Sequence, residues 1–121
     1  MPPGKKQIYI VDDDQSVNRA LKLLMVSHGY AVNTFSSSEE FFSAIPNSSP
    51  GCLVMDIHMQ GLSGWQANQR LQRTGSKRPV IMITADRNAC LQERALEAGA
   101  AGLLQKPFKD QELVDLIKKE C

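Results

Sequence analysis

An excess of basic residues is missing. Fourteen lysines and arginines face 13 aspartates and glutamates among 121 residues, for a formal net charge of +1. A domain that grips nucleic acid through its own surface carries a positive excess, so direct nucleic-acid binding by these residues is not expected. Cysteine is scarce too. Cys52, Cys90 and Cys121 form no CxxC pair and no zinc-ligand spacing, which predicts free thiols in a reducing compartment. Long hydrophobic runs are also absent. The first apolar stretch, Gln7 to Val11, ends at the acids that begin with Asp12, too short for a signal-peptide core or a membrane span. No repeat, linker or low-complexity segment interrupts the chain. These absences predict a soluble, cytoplasmic protein with no membrane partner.

What is present suffices for a core. With 42% hydrophobic and 22% charged residues, the composition is that of an ordinary globular protein. A chain of this length can bury roughly two thirds of its unfolded surface without disulfides or a structural metal. Residues 1–121 therefore read as one domain, whole or the N-terminal part of a longer chain.

The hydrophobic pattern alternates. Runs of strand length occur at Ile8–Val11, Ala31–Phe35, Cys52–Met55, Val80–Ile83 and Ala101–Leu104. The third and fourth are nearly continuously apolar, as in strands buried on both faces. Helical periodicity lies between them. Val17, Ala20, Leu21 and Leu24 share one face of a first helix that Gly29 can end. Ser37-x-x-Glu40 is a capping box ahead of Phe41, Phe42 and Ile45, in a helix that must stop near Pro46. A third helix is predicted from Gly64 to Arg73, with Leu71 inward. A fourth carries Leu91, Ala95 and Ala98 and closes at Gly99; a fifth carries Leu113, Leu116 and Ile117 behind Asp110 as N-cap. The pattern is an α/β fold, (βα)5, a doubly wound parallel sheet, and five strands suit the order 2-1-3-4-5.

In such sheets the functional crevice lies at the carboxyl ends of the strands, where strand order reverses. Here Val11-Asp12-Asp13-Asp14 ends the first strand, Met55-Asp56 the third, Ile83-Thr84-Ala85 the fourth and Gln105-Lys106-Pro107-Phe108 the fifth. Taken singly these residues are ordinary: Asp14 is a helix N-cap, Asp12 and Asp13 a solvated turn, Thr84 a cap, Lys106 a surface lysine before a proline-forced turn. Together they gather acids, a hydroxyl and a cation at one sheet edge. Two carboxylates about 4 Å apart repel by roughly 4 kcal/mol at an effective dielectric near 20. A fold that assembles Asp12, Asp13 and Asp56 therefore calls for a cation, and oxygen-only ligation by few carboxylates describes Mg²⁺. Lys106 can pair with a phosphoryl group brought to that ion, Thr84 can donate to it, and a carboxylate can act as nucleophile.

These pieces resemble the receiver domains of response regulators, the flavodoxin-like CheY fold. The resemblance rests on Asp12-Asp13, on Leu53-Val54-Met55-Asp56 with Gly61-x-x-Gly64, on Thr84-Ala85, on Gly99-Ala100 and on Lys106-Pro107-Phe108. It covers nearly the whole chain. It implies that Asp56 is the phosphoacceptor and that Asp12, Asp13 and Asp56 bind Mg²⁺, with the His58 backbone carbonyl as a further ligand. It also implies that Lys106 contacts the phosphoryl group and Thr84 is the switch hydroxyl. The implied donor is a phosphohistidine on a sensor histidine kinase or a phosphotransfer protein. The implied product is a signalling switch that helps catalyse its own phosphorylation and dephosphorylation, rather than a turnover enzyme. Its output surface, and a homodimer contact, would be the helix 4–strand 5–helix 5 face. Pro50–Asp56 and Gly61–Gly64 are similar to receivers of nitrogen-fixation-type transcription regulators. Two positions depart from the family pattern: Leu103 stands where Tyr or Phe is usual, and Gln60 where many relatives have Pro. A dehalogenase-type phosphohydrolase would instead use Asp12 as nucleophile in a D-x-D-x-[TV] signature, but Ser16 misfits its last position and no late acidic pair follows Lys106.

Overall fold

Five short strands, each followed by a helix, order the chain in a computed structural model, which describes residues 6–46, 49–58, 63–75, 78–86 and 90–121. In chain order they are β1 (Gln7–Val11), α1 (Gln15–Ser27), β2 (Ala31–Phe35), α2 (Ser38–Ala44), β3 (Cys52–Asp56), α3 (Gly64–Arg73), β4 (Val80–Thr84), α4 (Cys90–Glu97), β5 (Gly102–Gln105) and α5 (Asp110–Glu120). All strand pairs are parallel and the sheet order is β2-β1-β3-β4-β5.

Strand residues alternate between two apolar layers because successive side chains point to opposite faces. Ile8, Ile10, Val54, Ile81 and Ile83 meet Leu21 and Met25 of α1 and Leu113, Val114 and Ile117 of α5. Tyr9, Val11, Leu53, Met55 and Met82 meet Phe41 of α2, Ala67 and Leu71 of α3 and Ala95 of α4. Two helices thus cover one face and three the other. Every residue of β3 and β4 is buried, as their continuous apolar runs require.

Local signals set the helix ends. Asp14 caps α1 by accepting from Ser16 N, and Gly29 beyond it has φ of 91°. Ser37 caps α2 by accepting from Glu40 N, but the Glu40 carboxylate takes the Ser36 hydroxyl, so only half of the predicted box forms. Helix α3 has the full box: Ser63 Oγ accepts from Gln66 N and Gln66 Oε1 from Ser63 N.

Four expectations need correction. Asp110 is the first helical residue rather than the cap; Lys109 holds that place, its N–H donating to Glu112 Oε1. An acid is favourable at either position beside the helix's positive end, so the pattern cannot choose between neighbours. Strand β5 starts at Gly102, one residue later than read. Ala20 is exposed, and the inner face of α1 runs through Asn18, Leu21 and Met25. Finally, Cys52 and Cys121, 69 positions apart in sequence, are joined by a disulfide, with Cα atoms 5.9 Å apart. Spacing rules see only near neighbours; here the start of β3 and the end of α5 meet because both lie at the same end of the sheet. Cys90 is exposed and outside the bridge. The cysteine argument for a reducing compartment therefore lapses. Gln60 and Gly61 lie outside the described residues.

Candidate functional site

The carboxyl edge of the sheet collects the expected residues. Asp12 follows β1 directly and Asp56 ends β3, the neighbouring strand. Both are buried, at 3% and 9% exposure. Lys106, just past β5, reaches across to them. Its Nζ donates to Asp56 Oδ2 at 2.9 Å and lies 3.5 Å from Asp12 Oδ2. The Lys106–Pro107 peptide is cis.

Backbone donors hold the remaining carboxylate oxygens. Asp56 Oδ1 accepts from His58 N at 2.8 Å, and Asp12 Oδ1 accepts from Asp14 N at 2.9 Å. Thr84 ends β4 and is 1% exposed; its Oγ1 accepts from Asp86 N at 3.0 Å, and its carbonyl accepts from Lys106 N at 2.6 Å. Asp13 is exposed beside Asp12, and Asp14 is occupied as the α1 cap. The structure therefore brings Asp12, Asp56 and Lys106 into direct contact. Thr84 stands on the adjoining strand end with its hydroxyl turned to its own loop, and Asp13 sits at the rim.

Two further residues shape this edge: Gly64, known from the sequence as part of the G-x-x-G spacing, and Asn18, which the sequence did not single out. At Gly64, the first residue of α3, an added Cβ would sit 2.8 Å from Ile57 Cα and 2.9 Å from the Asp56 carbonyl oxygen. Only glycine lets α3 start so close behind the acid; the G-x-x-G spacing hinted at this. Asn18 interrupts the apolar face of α1 beneath Asp12, a misfit visible in the pattern at 18, 21 and 25.

Electrostatics follow from burial. Loss of water raises the Asp12 carboxyl above its ordinary 3.8, and the charges of Asp56 and Asp13 push the same way, against the Asp14 N–H and Lys106. Burial alone would lower Lys106, but its hydrogen bond to Asp56 and the two carboxylate charges outweigh it. The ammonium is held above 10.5. Lys106 is thus a fixed cation at neutral pH.

A carboxyl whose pKa is higher folded than unfolded binds its proton more tightly in the fold. The stability it contributes is fully present in acid, below the unfolded pKa, and is lost as pH rises through the raised pKa, so that none of it is left at pH 7. Asp12→Asn keeps an oxygen for Asp14 N–H and removes the buried charge. In divalent-free buffer its urea midpoint should exceed the parent's at pH 7, with the margin shrinking towards pH 4. A midpoint at or below the parent's at pH 7 would show that the Lys106 contact outweighs the burial.

Three carboxylates against one ammonium leave the edge negative, and all the donors are hard oxygens, the set that Mg²⁺ prefers. Among the described residues no three acid, imidazole or thiol groups converge into a ready-made cage. Mg²⁺ keeps several waters and takes one or two carboxylates, so a partial set fits it where it would not fit zinc.

Comparison with known proteins identifies the family and the fold. The profile of the response regulator receiver domain family matches residues 8–118. The transcriptional regulatory protein TdiR of Thauera aromatica is 37% identical over 110 residues, covering 91% of this chain and 48% of that protein. The transcriptional regulatory protein FixJ of Bradyrhizobium diazoefficiens is 34% identical over 114 residues, covering 94% of this chain and 56% of its own length. The chain thus spans about half the length of these relatives. Among solved structures, the response regulator StyR superposes with a TM-score of 0.89 at 36% identity, over 97% of this chain and 59% of that one. The N-terminal part of FixJ gives 0.87 at 29% identity, over 96% and 93%.

Proposed function

The chain belongs to the response regulator receiver domains of two-component systems, and from that membership and the site geometry we propose that Asp56 accepts a phosphoryl group from a phosphohistidine. The observation that carries this reading is the contact of one ammonium, Lys106, with the carboxylates of both Asp12 and Asp56 at the strand ends. The donor is a sensor histidine kinase or a phosphotransfer protein, working in the cytoplasm. Among the described residues no helix is long and apolar enough to cross a membrane.

In the transfer, an Asp56 carboxylate oxygen attacks phosphorus, a P–O bond forms, and the P–N bond breaks with its electron pair returning to the imidazole. His58 N and Lys106 Nζ hold the two Asp56 oxygens, so the nucleophile is oriented before the donor arrives. Lys106 is positioned to follow the incoming phosphoryl oxygens as a point charge. Asp12, Asp13, Asp56 and the His58 carbonyl would hold Mg²⁺, which supplies charge neutralisation on the transferring group. The domain is a switch that promotes its own phosphorylation and dephosphorylation, not a turnover enzyme.

The Thr84 hydroxyl accepts a hydrogen bond, so its proton is available for a phosphoryl oxygen. Thr84 O and Lys106 N tie the ends of β4 and β5, so movement of either loop pulls on the other. Leu103, where relatives place an aromatic ring, packs half-buried against the α2–α3–α4 layer. Switching here therefore relies on Thr84 and the backbone, and its readout is the α4–β5–α5 face. That face offers Leu96, 58% exposed, to a partner, including a second copy. The output on this reading is transcription control, which the names of TdiR and FixJ state of those proteins.

The test is direct. Incubation with acetyl phosphate and Mg²⁺ should add one phosphoryl group by intact mass, and a chelator should prevent the gain. A chain that gains nothing under those conditions is not a phosphoacceptor.

A further inference from the structure

Asn18 is 6% exposed on the inner face of α1, among Leu21 and Met25. Asparagine is a poor helix-interior residue because its side chain competes for backbone groups. Its Nδ2 donates to Asp12 O at 2.8 Å and to Phe35 O at 3.1 Å. Its Oδ1 is buried without a hydrogen-bond partner. A buried orphan acceptor costs stability, so packing does not account for the residue.

What the amide does secure is one peptide unit. Asp12 N donates to Phe35 O, Asp12 O accepts from Asn18, and Asp12 Oδ1 accepts from Asp14 N. The peptide between Asp12 and Asp13 is planar and trans, so pinning the carbonyl on the α1 side turns the Asp13 N–H to the opposite side. The direction in which the exposed Asp13 leaves the chain is thereby set from beneath.

We propose that Asn18 is a positioning residue that presets the Asp12–Asp13 pair for a divalent cation, by holding the peptide carbonyl between them. This rests on the metal-binding reading above. Losing such a support behind metal ligands weakens affinity by about tenfold or more, while the reaction at saturating metal should be spared.

Asn18→Leu fills the same space without the amide, removes the orphan oxygen and leaves Phe35 O its bond from Asp12 N. Three quantities decide the matter: the Mg²⁺ dissociation constant by calorimetry, the thermal midpoint without metal, and the rate of phosphoryl gain from acetyl phosphate against Mg²⁺ concentration. The expected result is a dissociation constant raised about tenfold and a midpoint within about 5 °C of the parent's. The half-saturating Mg²⁺ concentration should rise with it, at a maximal rate unchanged within about twofold. An unchanged dissociation constant overturns the proposal. So does a large drop in midpoint accompanied by a lower maximal rate, which would mark a structural role. Asn18→Ala, measured the same way, decides if the leucine does not fold. Failure of the parent to bind Mg²⁺ would appear before any variant is made, and would remove the metal-binding reading and this inference together.

Discussion

Asp56→Asn is expected to abolish phosphoryl uptake, with no mass gain from acetyl phosphate under conditions that label the parent fully. An amide is no nucleophile towards phosphorus at neutral pH, whereas the carboxylate is oriented by two donors, His58 N and Lys106 Nζ. The substitution is nearly isosteric, and the amide oxygen can still accept one of those bonds. The variant should therefore stay folded, and lost labelling can be assigned to the acceptor itself. Asp12 and Asp13 are rival carboxylates on the same edge. Labelling that persists in Asp56→Asn, traced by peptide mapping to either of them, would relocate the acceptor and revive an Asp12 nucleophile of the dehalogenase kind.

Phe41→Ala should be the most damaging single change to the fold, costing about 3–5 kcal/mol. Phe41 is 2% exposed. Its ring lies 5.5 Å from those of Tyr9 and Phe35 and 5.3 Å from Phe42, with edge-to-face tilts throughout. Arg78 stacks over both Tyr9 and Phe41, at 5.0 and 5.3 Å. Truncation would open a cavity bounded by β1 and β2, and their parallel pairing leaves little freedom to close it. A domain of this size has a total stability of about 5–15 kcal/mol, so the thermal midpoint should fall by roughly 10–20 °C. Equilibrium urea unfolding measures this; a loss below about 1 kcal/mol would mean that the surrounding rings collapse into the gap. The damage should reach the acidic edge as well, because the carbonyl of Phe35 anchors both Asp12 N and Asn18 Nδ2.

Much of this was legible in the sequence, for identifiable reasons. Helix α3 runs from Gly64 to Arg73 as expected, with Leu71 on its inner face. The central strands were legible because burial on both faces leaves continuous apolar runs. Asp12, Asp56, Thr84 and Lys106 were legible because parallel topology sends every strand's carboxyl end to one edge. What escaped depends on contacts between distant residues. Val114 lies fully buried next to Leu113, in the layer that α5 and α1 form against the sheet. The Cys52–Cys121 bridge and the hydrogen bonds of Asn18 belong to the same class: each needs the folded chain to define its partner.

The Lys106–Asp56 contact joins residues 50 positions apart, and Lys106 comes from the loop after the last strand of the sheet. During synthesis, Asp12 and Asp56 leave the ribosome without their counter-ion, as two separate, ordinary acids. Only when β5 docks on β4 does the cation arrive. Any trapped intermediate that lacks β5, or a chain cut before it, would have most of the sheet and none of the charge balance of the site. Such contacts between distant segments slow folding. On the proposed function, phosphoryl acceptance would then be confined to molecules that have completed the fold, and half-made copies would stay silent.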